Sequence, residues 1–390
     1  MSSYKQIQRP LKGRFTQVVN TLSTSDGGPA RNSFELNLAL NAANSETNLF
    51  WFRGDVANGV VFQDSAATGK LPTPGPRRVG VLSNDSKRVA SVWDFLHSIL
   101  NSDAVIIHGY YLPWVPIVAV VCKLTRTPFV ITPHGALTSH QQKFSQRKKR
   151  IFERLVGKRT RKWMAGFVTG SAIEAADLKS QFPGVNAEFG GVGTVLPNSL
   201  HPTISQDHLQ LVSMSRIAPK KRIDLMIGAV AELKLRGVTA RLRIGGTGDP
   251  FLEKALREQC SRLGVVEEVT FEGHIDGAKK ESLYASAAIF LLPSDDENFG
   301  IGLAEALARG IPCIASANVA AAAYMNGAGG IVLDSPTEKS IADAITELRS
   351  SKDWEALRRS ARRVAEDNFS WDATALRWQL VLASHVIGIR

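Results

Sequence analysis

The chain alternates short apolar runs with amphipathic segments, and this alternation is present in both halves of the sequence. In the first half, the runs Ala104–His108 and Pro128–Thr132 are separated by a helix-like segment over Leu112–Leu124. In the second half, the pattern restarts at Leu211–Met214 and continues to Ala288–Pro293. Uninterrupted apolar runs of this length are typical of parallel strands that helices cover on both faces. The pattern predicts an α/β protein with two doubly wound, Rossmann-like sheets.

A polar link divides the two repeats of this pattern. The link follows Pro197 and runs to about Gln210, and 390 residues are enough for two domains of ordinary size. We predict an N-terminal domain over residues 1–203 and a C-terminal domain over residues 204–370. We expect the last helix, within residues 371–390, to pack back on the N-terminal domain.

The composition and the apolar runs indicate a globular enzyme without a membrane-spanning helix. Hydrophobic residues make up 44% of the chain, which is typical of a folded domain. Cys122, Cys260 and Cys313 have no metal-ligand spacing, which favours a reducing compartment and no zinc site. Residues 1–13 do not resemble a cleavable signal, and the longest apolar run, Leu112–Val121, is far shorter than the ~20 residues that span a bilayer. We expect a cytoplasmic protein, soluble or peripheral at the inner face of the cell membrane.

The excess of positive charge lies in the first half of the chain. Residues 1–200 hold 24 Lys and Arg against 12 Asp and Glu, whereas residues 201–390 hold 23 against 24. Ten of these cations and one Glu fall within Lys143–Lys162, with an apolar stripe that includes Ile151 and Leu155. A basic amphipathic helix can lie on an anionic membrane or hold a phosphorylated acceptor. It can also be a solvated helix with an inward apolar face, and nucleic acid as a partner has no supporting motif.

The stretch Asp295–Glu305 predicts an anion-binding turn. It follows the apolar run Ala288–Pro293 and contains two glycines before a helix-like segment. A strand, a glycine-containing turn and a helix N-terminus together present free backbone N–H groups to an anion. With a rise of about 1.5 Å per helical residue, Glu297 and Glu305 lie roughly 10 Å apart, which is too wide for one metal and suits the two ends of a nucleotide-sugar. The plain alternative is an acidic loop before a helix with one exposed Glu.

Other turns that follow predicted strands carry residues suited to phosphate. Arg216 and Lys221 lie in a strand-to-helix turn, where guanidinium and ammonium groups can neutralise a diphosphate. Gly27–Gly28 and Gly246 also lie in turns before helices. The dinucleotide fingerprint G-x-G-x-x-G is absent, and a glycine pair alone is more often an ordinary turn.

In the N-terminal domain, the candidate site residue with an ionisable side chain is His134. It follows the strand Pro128–Thr132, at the edge where open α/β sheets bind ligands. A histidine at this edge can contact a donor sugar or assist proton transfer, or it can only cap a loop.

Taken together, these features resemble the large family of retaining glycosyltransferases with the GT-B fold, usually numbered family 4, the glycosyl transferases group 1. The resemblance covers nearly the whole chain and is strongest in the second half. The matching residues are Arg216 with Lys221, Gly246–Gly248, Phe271–Gly273, and Glu297 with Glu305, which enclose Asn298, Phe299 and Gly300. Two positions depart from the family pattern. Arg222 occupies a position that is often Gly in the family, and Ser199 replaces the Gly of the usual Pro-Asn-Gly sequence.

The resemblance implies two Rossmann-like domains that face an interdomain cleft, and it implies a role for each matching residue. Glu297 contacts the hydroxyls of the donor sugar, and Glu305 contacts the ribose. Arg216 and Lys221 hold the diphosphate, and His134 lies near the transferred sugar. The backbone at His274 and Ile275 contacts the nucleobase. The other donor-binding residues implied are Gly27, Gly28, Gly246, Asn298, Phe299, Gly300 and Ile301.

The implied reaction is a retaining transfer of a hexose-type sugar from a UDP- or GDP-sugar to a glycan or a polyprenyl-diphosphate-linked saccharide, in surface polysaccharide biosynthesis. Because cations and a helix N-terminus stabilise the departing nucleotide, no metal and no other cofactor are expected. The run Asp295–Glu297 can imitate the acidic metal motif of the other main glycosyltransferase fold, but that fold has no second α/β domain with a cation cluster. Glu297 and Glu305 can also be interpreted as the carboxylate pair of a glycosidase, but water is then the acceptor and the cation cluster has no role.

Three other classes of function explain fewer of these features. A nucleotide-sugar epimerase or a phosphorylase on the same scaffold explains a nucleotide pocket but not the basic segment Lys143–Lys162. A nucleic-acid-binding protein predicts steep, salt-dependent duplex binding and no effect of Glu305→Ala. A dehydrogenase is disfavoured because the glycine fingerprint is absent.

Overall fold

The protein is represented by a computed structural model that describes residues 12–22, 28–53, 77–79, 89–142, 145–200, 209–325 and 327–387. The chain forms two compact units, Met1–Gly193 with Trp371–Arg390, and Thr194–Ser370. The first boundary between the two units therefore lies at Gly193–Thr194, before the polar link in which the sequence predicts it. The backbone N–H of Thr194 donates to the carbonyl of Phe369 over 2.7 Å, which ties together the two ends of the second unit.

The described part of the first unit contains an eight-stranded sheet in which all strand pairs are parallel. Its strands are β1 (Arg14–Val19), β2 (Glu46–Trp51), β3 (Arg77–Val79), β4 (Val89–Ala90), β5 (Ala104–His108), β6 (Phe129–Thr132), β7 (Gly166–Thr169) and β8 (Ala187–Phe189). Their order is β4-β3-β2-β1-β5-β6-β7-β8. The helices before the second unit are α1 (Gly28–Ala42), α2 (Val92–Leu100), α3 (Val115–Thr125), α4 (Ser139–Gln142), α5 (Gln146–Phe152), α6 (Lys158–Trp163) and α7 (Ala172–Gln181).

The second unit contains a six-stranded parallel sheet in the order β11-β10-β9-β12-β13-β14. Its strands are β9 (Leu209–Met214), β10 (Ala240–Gly245), β11 (Val269–Gly273), β12 (Ile289–Leu292), β13 (Cys313–Ser316) and β14 (Gly330–Leu333). Its helices are α8 (Ile223–Leu235), α9 (Pro250–Leu263), α10 (Gly277–Ala285), α11 (Ile301–Ala308), α12 (Glu338–Arg349) and α13 (Trp354–Phe369). This is the order of the doubly wound nucleotide-binding fold, and the winding reverses between β9 and β12, where such sheets bind ligands.

Both faces of the first sheet are covered by helices, as the two-residue period of its strands requires. On β5, Val105 and Ile107 face a core that includes side chains of α2 and α3. Ala104 and Ile106 face the opposite core, which includes side chains of α1 and of the last helix, α14 (Trp371–Ile387). The α/β class and the two doubly wound sheets are therefore confirmed. Five strands, β3, β4, β8, β13 and β14, were not predicted, and each is only two to four residues long.

The basic segment is not the single helix that its composition predicts. Lys143 lies outside the described residues, and α5 and α6 are joined by a π-helical turn over Glu153–Gly157. A π turn contains one more residue than an α turn, which alters the side-chain period. Phe152, at the end of α5, packs inward against Tyr110, with ring centroids 5.6 Å apart, whereas Ile151 and Leu155 are exposed.

Candidate functional site

The turns that follow β9 and β12 lie side by side at the point where the strand order reverses. The backbone N–H of Asp295 donates to the carbonyl of Lys220 over 2.8 Å. Each of three consecutive cations also meets a carboxylate of the other turn. The pairs are Lys220 with Asp296 at 2.8 Å, Lys221 with Glu297, and Arg222 with Asp295 at 3.2 Å. Two motifs that are far apart in the sequence thus form one charged cluster.

Lys221 is the most buried cation of this cluster, with 8% of its surface exposed. Burial, together with the charges of Lys220 and Arg216, lowers the pKa of Lys221 to about 8. The negative charge of Asp296 opposes this shift by stabilising the charged ammonium group. The turn therefore presents a cation whose charge depends on pH in the slightly alkaline range.

Arg222 explains why glycine is frequent at its position in the family that the sequence resembles. Its φ of 51° lies in the left-handed region, which glycine adopts without a steric penalty. The guanidinium group forms ion pairs with Asp224 at 3.0 Å and with Asp295 at 3.2 Å. These contacts hold the strained residue between the 3₁₀ turn Pro219–Lys221 and α8.

The first turn of α11 lies close to the end of β9. Gly300 precedes the helix with a φ of 100°, and a Cβ added at Gly302 lies 2.6 Å from the carbonyl oxygen of Met214. Phe299 is buried and contacts the ring of Phe369 edge-on, with centroids 5.5 Å apart. Asn298 and Ile301 flank Phe299 and Gly300, so the predicted run is continuous in space and ends at the helix N-terminus. The turn places free helix N–H groups near the charged cluster.

Glu305 faces α10 rather than open solvent. Its side chain contacts the ammonium group of Lys280, and the hydroxyl of Tyr284 donates to it over 2.9 Å. Burial raises the pKa of the Tyr284 hydroxyl well above its usual value, so that this group remains a donor. Glu305 was predicted from the sequence, whereas Lys280 and Tyr284 were not, because they belong to a helix without a recognisable motif.

The turns after β10 and β11 lie beside the turn that carries Arg216. The backbone N–H of Ile217 donates to the carbonyl of Thr247 over 2.9 Å, and that of Gly246 donates to Gly273 over 2.8 Å. Gly246 has a φ of 130°, and a Cβ at this position overlaps the carbonyl oxygen of Ser215.

The two residues proposed to meet the nucleobase have different environments. Ile275 is buried and packs against Gly245, whereas the side chain of His274 is exposed. The resemblance assigns a role only to the backbone of His274. The exposure of its side chain therefore does not test that expectation.

His134 of the first unit belongs to a chain of three hydrogen-bonded side chains. Nε2 of His134 lies 3.0 Å from Nδ1 of His108, and Nε2 of His108 lies 2.9 Å from Oε1 of Gln17. The Gln17 oxygen accepts a hydrogen bond from His108, so His108 accepts one from His134 and leaves Nδ1 of His134 available. His134 has a left-handed φ of 51°. His108 and Gln17 were not predicted, because they come from two other strands.

Burial controls the protonation of both histidines. It lowers the pKa of His134 to about 4, and together with the neighbouring His134 it lowers the pKa of His108 well below the usual value. Glu174 supports the loop, since it accepts hydrogen bonds from the backbone N–H groups of Gly135 at 2.7 Å and Gly170 at 3.3 Å. His134 is therefore held as a neutral imidazole near neutral pH.

The remaining predicted residues are placed less fully. Gly28 is the first residue of α1, whereas Gly27 lies outside the described residues. Arg216 is exposed at the edge of the charged cluster. Across the described ranges there is no group of three or more His, Cys, Asp or Glu side chains arranged to hold a metal ion. The helices in the same ranges include none that is long and apolar enough to cross a membrane.

Comparisons with known proteins match both halves of the chain. Residues 27–188 match the family described as "Glycosyl transferase 4-like domain", and residues 201–367 match "Glycosyl transferases group 1". The GDP-mannose-dependent alpha-(1-6)-phosphatidylinositol monomannoside mannosyltransferase of Mycolicibacterium smegmatis is 32% identical over 180 residues. That alignment covers 44% of this chain and 47% of the relative, so the match spans about half of the relative's length.

Solved structures are similar over nearly the whole chain. The Anabaena protein HepE, crystallised with UDP and glucose, has a TM-score of 0.71 at 16% identity and covers 95% of this chain and 100% of its own. Sucrose-phosphate synthase from Thermosynechococcus elongatus has a TM-score of 0.68 at 18% identity and covers 93% of this chain and 96% of its own. The chain has the GT-B fold of glycosyltransferases, as its two Rossmann-like sheets and its similarity to these structures indicate. Residues 27–188 therefore belong to the glycosyl transferase 4-like domains, and residues 201–367 belong to the glycosyl transferases group 1.

Proposed function

We propose that this protein transfers a hexose-type sugar from a nucleoside-diphosphate donor to a saccharide acceptor, with retention of the anomeric configuration. The observation that carries the proposal is the buried Lys221, paired with Glu297 beside Arg216 at the switch point of the second sheet. A cation and a hydroxyl-accepting carboxylate in contact suit the junction between a phosphate and a sugar.

The donor is proposed to occupy the second unit through contacts of three kinds. Lys221 and Arg216 bind the diphosphate, and the N–H groups near Phe299–Ile301 add hydrogen bonds at the start of α11. Glu297, once the diphosphate shares Lys221 with it, accepts hydrogen bonds from the sugar hydroxyls. Glu305 accepts those of the ribose.

The base is proposed to contact the backbone at His274 and Ile275, next to the tight turn at Gly246. Lys280 and Tyr284 hold the Glu305 carboxylate in a fixed orientation for the ribose, because both donate to it in the unliganded protein. This arrangement avoids the entropy loss of ordering a free carboxylate on binding.

Transfer in this proposal breaks the bond between the anomeric carbon and the phosphate oxygen, and forms a bond from that carbon to the acceptor oxygen on the same face. The acceptor hydroxyl proton passes to the departing phosphate. Lys221 and Arg216 stabilise the charge that develops on the diphosphate, so the step needs no metal. His134 contributes from the first unit as a neutral imidazole whose Nδ1 accepts a hydrogen bond from the transferred sugar. Gly27 and Gly28 lie at the turn before α1 and are proposed to approach the reacting phosphate.

The acceptor is proposed to be a saccharide on polyprenyl diphosphate, in surface polysaccharide synthesis at the inner face of the cell membrane. The exposed cations of α5 and α6 support an anionic partner. The M. smegmatis relative acts on a phosphatidylinositol mannoside and HepE is crystallised with UDP, which supports GDP- and UDP-sugars as the first donors to assay.

The test is a transfer assay with GDP-mannose and UDP-glucose against soluble and lipid-linked saccharides, with and without EDTA. We expect product only when acceptor is present, an unchanged rate in EDTA, and NMR couplings that retain the donor configuration. Conversion of the UDP-sugar to an epimer without acceptor contradicts the proposal and assigns an epimerase instead.

A further inference from the structure

The helical layer on one face of the first sheet exposes an unusual number of large apolar side chains. α3 packs against both α2 and α6, so these helices form one continuous layer with α5. The exposed apolar residues of this layer are Val92, Trp93, Leu100, Ile117, Val120, Leu124, Ile151 and Leu155. Exposed apolar clusters of this kind are typical of interaction sites rather than of ordinary protein surface.

The outward side of α3 carries a stripe of apolar side chains. Ile117, Val120 and Leu124 recur at the helical spacing of three and four residues, so they lie on one side of the helix. The opposite side of α3, which includes Val118 and Cys122, already fills the core. The outward stripe therefore has no role in stabilising the sheet, and Leu124 is 79% exposed.

The same layer is strongly cationic. Arg147, Lys148, Arg150, Arg154, Lys158, Arg159 and Lys162 are exposed on α5, the π turn and α6. Glu153 of the π turn contacts Arg161, which also lies over the ring of Phe182 at 4.3 Å, so this carboxylate is turned toward the core. Among the described residues, the exposed face of this basic segment therefore carries positive charge next to apolar side chains.

We propose that this layer docks on a bilayer that contains anionic lipid. Ile117 and Leu124 of α3, with Trp93 of α2, enter the interfacial region, and the cations of α5 and α6 contact lipid phosphates. An anionic bilayer complements both properties at once, since its surface attracts cations and its interior takes up apolar side chains. This inference deepens the proposed peripheral location, and it assigns insertion to helices outside the basic segment.

The experiment is co-sedimentation of the full chain with vesicles of phosphatidylcholine alone or of phosphatidylcholine with phosphatidylglycerol. We expect binding to the anionic vesicles only, and weaker binding as salt is added. The double variant Ile117→Ser, Leu124→Ser loses about tenfold or more in affinity, because two apolar side chains no longer enter the lipid. The matched control is Leu235→Ser, Phe251→Ser in the second unit, where Phe251 is 84% exposed, and it binds as the parent protein does.

Three outcomes overturn the inference. Equal loss of binding in both double variants, or no loss in either, means that the α3 stripe is not the docking surface. If the parent protein does not bind vesicles but forms a dimer without lipid, and only the α3 double variant loses that dimer, the face binds a second copy of this chain. Thermal-shift titration with UDP and GDP on the same preparations tests donor binding separately, so failure of docking and failure of the proposed transfer can be told apart.

Discussion

The ammonium group of Lys221 contacts the carboxylate of Glu297, and both lie where the winding of the second sheet reverses. Neither side chain is free in solvent, with 10% and 19% of the side chains exposed. Burying a lone charge is costly, and the ion pair gives each of these two charges a partner of opposite sign. A bound diphosphate supplies an alternative partner for Lys221 and leaves Glu297 to accept sugar hydroxyls.

The pKa of Lys221 predicts an alkaline limit on donor capture. Since its pKa is lowered to about 8, the free enzyme loses the charge of this lysine as pH rises through that value. We expect kcat/KM for the donor to be level below pH 8 and to fall roughly tenfold per pH unit above it. Lys221→Arg moves the fall to higher pH, whereas Lys220→Arg leaves it in place. A parent profile that stays flat above pH 8 contradicts the assignment.

Glu305 is predicted to recognise the ribose hydroxyls. In the parent protein, a 2′-deoxynucleoside diphosphate is expected to bind about tenfold or more weakly than the matching ribonucleotide, because one charge-assisted hydrogen bond is lost. Glu305→Gln is expected to lower the affinity for the ribonucleotide, and thereby to reduce the difference in affinity between the ribonucleotide and the 2′-deoxynucleotide. The control is Glu281→Gln, on the outer side of α10. The measurement is calorimetric titration with both nucleotides. A difference of the same size in Glu305→Gln excludes the ribose role.

The buried histidines predict lower stability in acid. The pKa of His134 is about 4 in the folded protein, so the unfolded chain, with a pKa near 6.5, binds the proton first as pH falls. Stability contributed by the neutral imidazole is therefore present above pH 6.5 and lost toward pH 4, by about 3 kcal/mol for His134. His108 acts in the same direction.

Urea midpoints at neutral and acidic pH measure this effect. The double variant His108→Gln, His134→Gln is expected to lose much less stability in acid than the parent does. His97→Gln, at an exposed histidine of α2, keeps the parental pH dependence. If all three proteins respond equally to acid, carboxylates rather than this pair control the transition.

Gly246 is predicted to tolerate no side chain. Its φ of 130° and the overlap of a Cβ with the Ser215 carbonyl require the turns after β9 and β10 to separate. Gly246→Ala is expected to destabilise the protein by about 3 kcal/mol or more. Gly264→Ala, where φ is 67° and no atom lies within 4 Å, costs only about 1 kcal/mol. Comparable midpoints for the two variants in urea disprove the close approach at Gly246.

Sequence reasoning located the residues of the site where strand, turn and helix are consecutive. Glu297 and Gly300 follow a short apolar run before a helix, so their place at a strand end could be predicted. The contact between Lys221 and Glu297 could not, because it depends on β9 and β12 being neighbours in the sheet. Strand order is a property of the whole unit and has no local signal.

The same reason explains the residues that were missed. His108 and Gln17 meet because β1 pairs with β5, and Lys280 reaches Glu305 because α10 packs beside α11. The basic segment was misjudged for a local reason. Its composition indicates one helix, whereas the structure has a π turn between Phe152, which packs against Tyr110, and Arg161, which lies over Phe182.

Calorimetric titration of UDP, GDP, ADP and TDP into the parent protein, Lys221→Ala and Lys220→Ala measures whether the turn after β9 binds the diphosphate. We expect one nucleotide to bind the parent protein best, and Lys221→Ala to bind that nucleotide about tenfold or more weakly, because a charge-assisted phosphate contact is lost. Lys220→Ala, which removes the neighbouring ion pair with Asp296, retains most of the affinity. Parental affinity in Lys221→Ala contradicts the claim that this switch point holds the diphosphate.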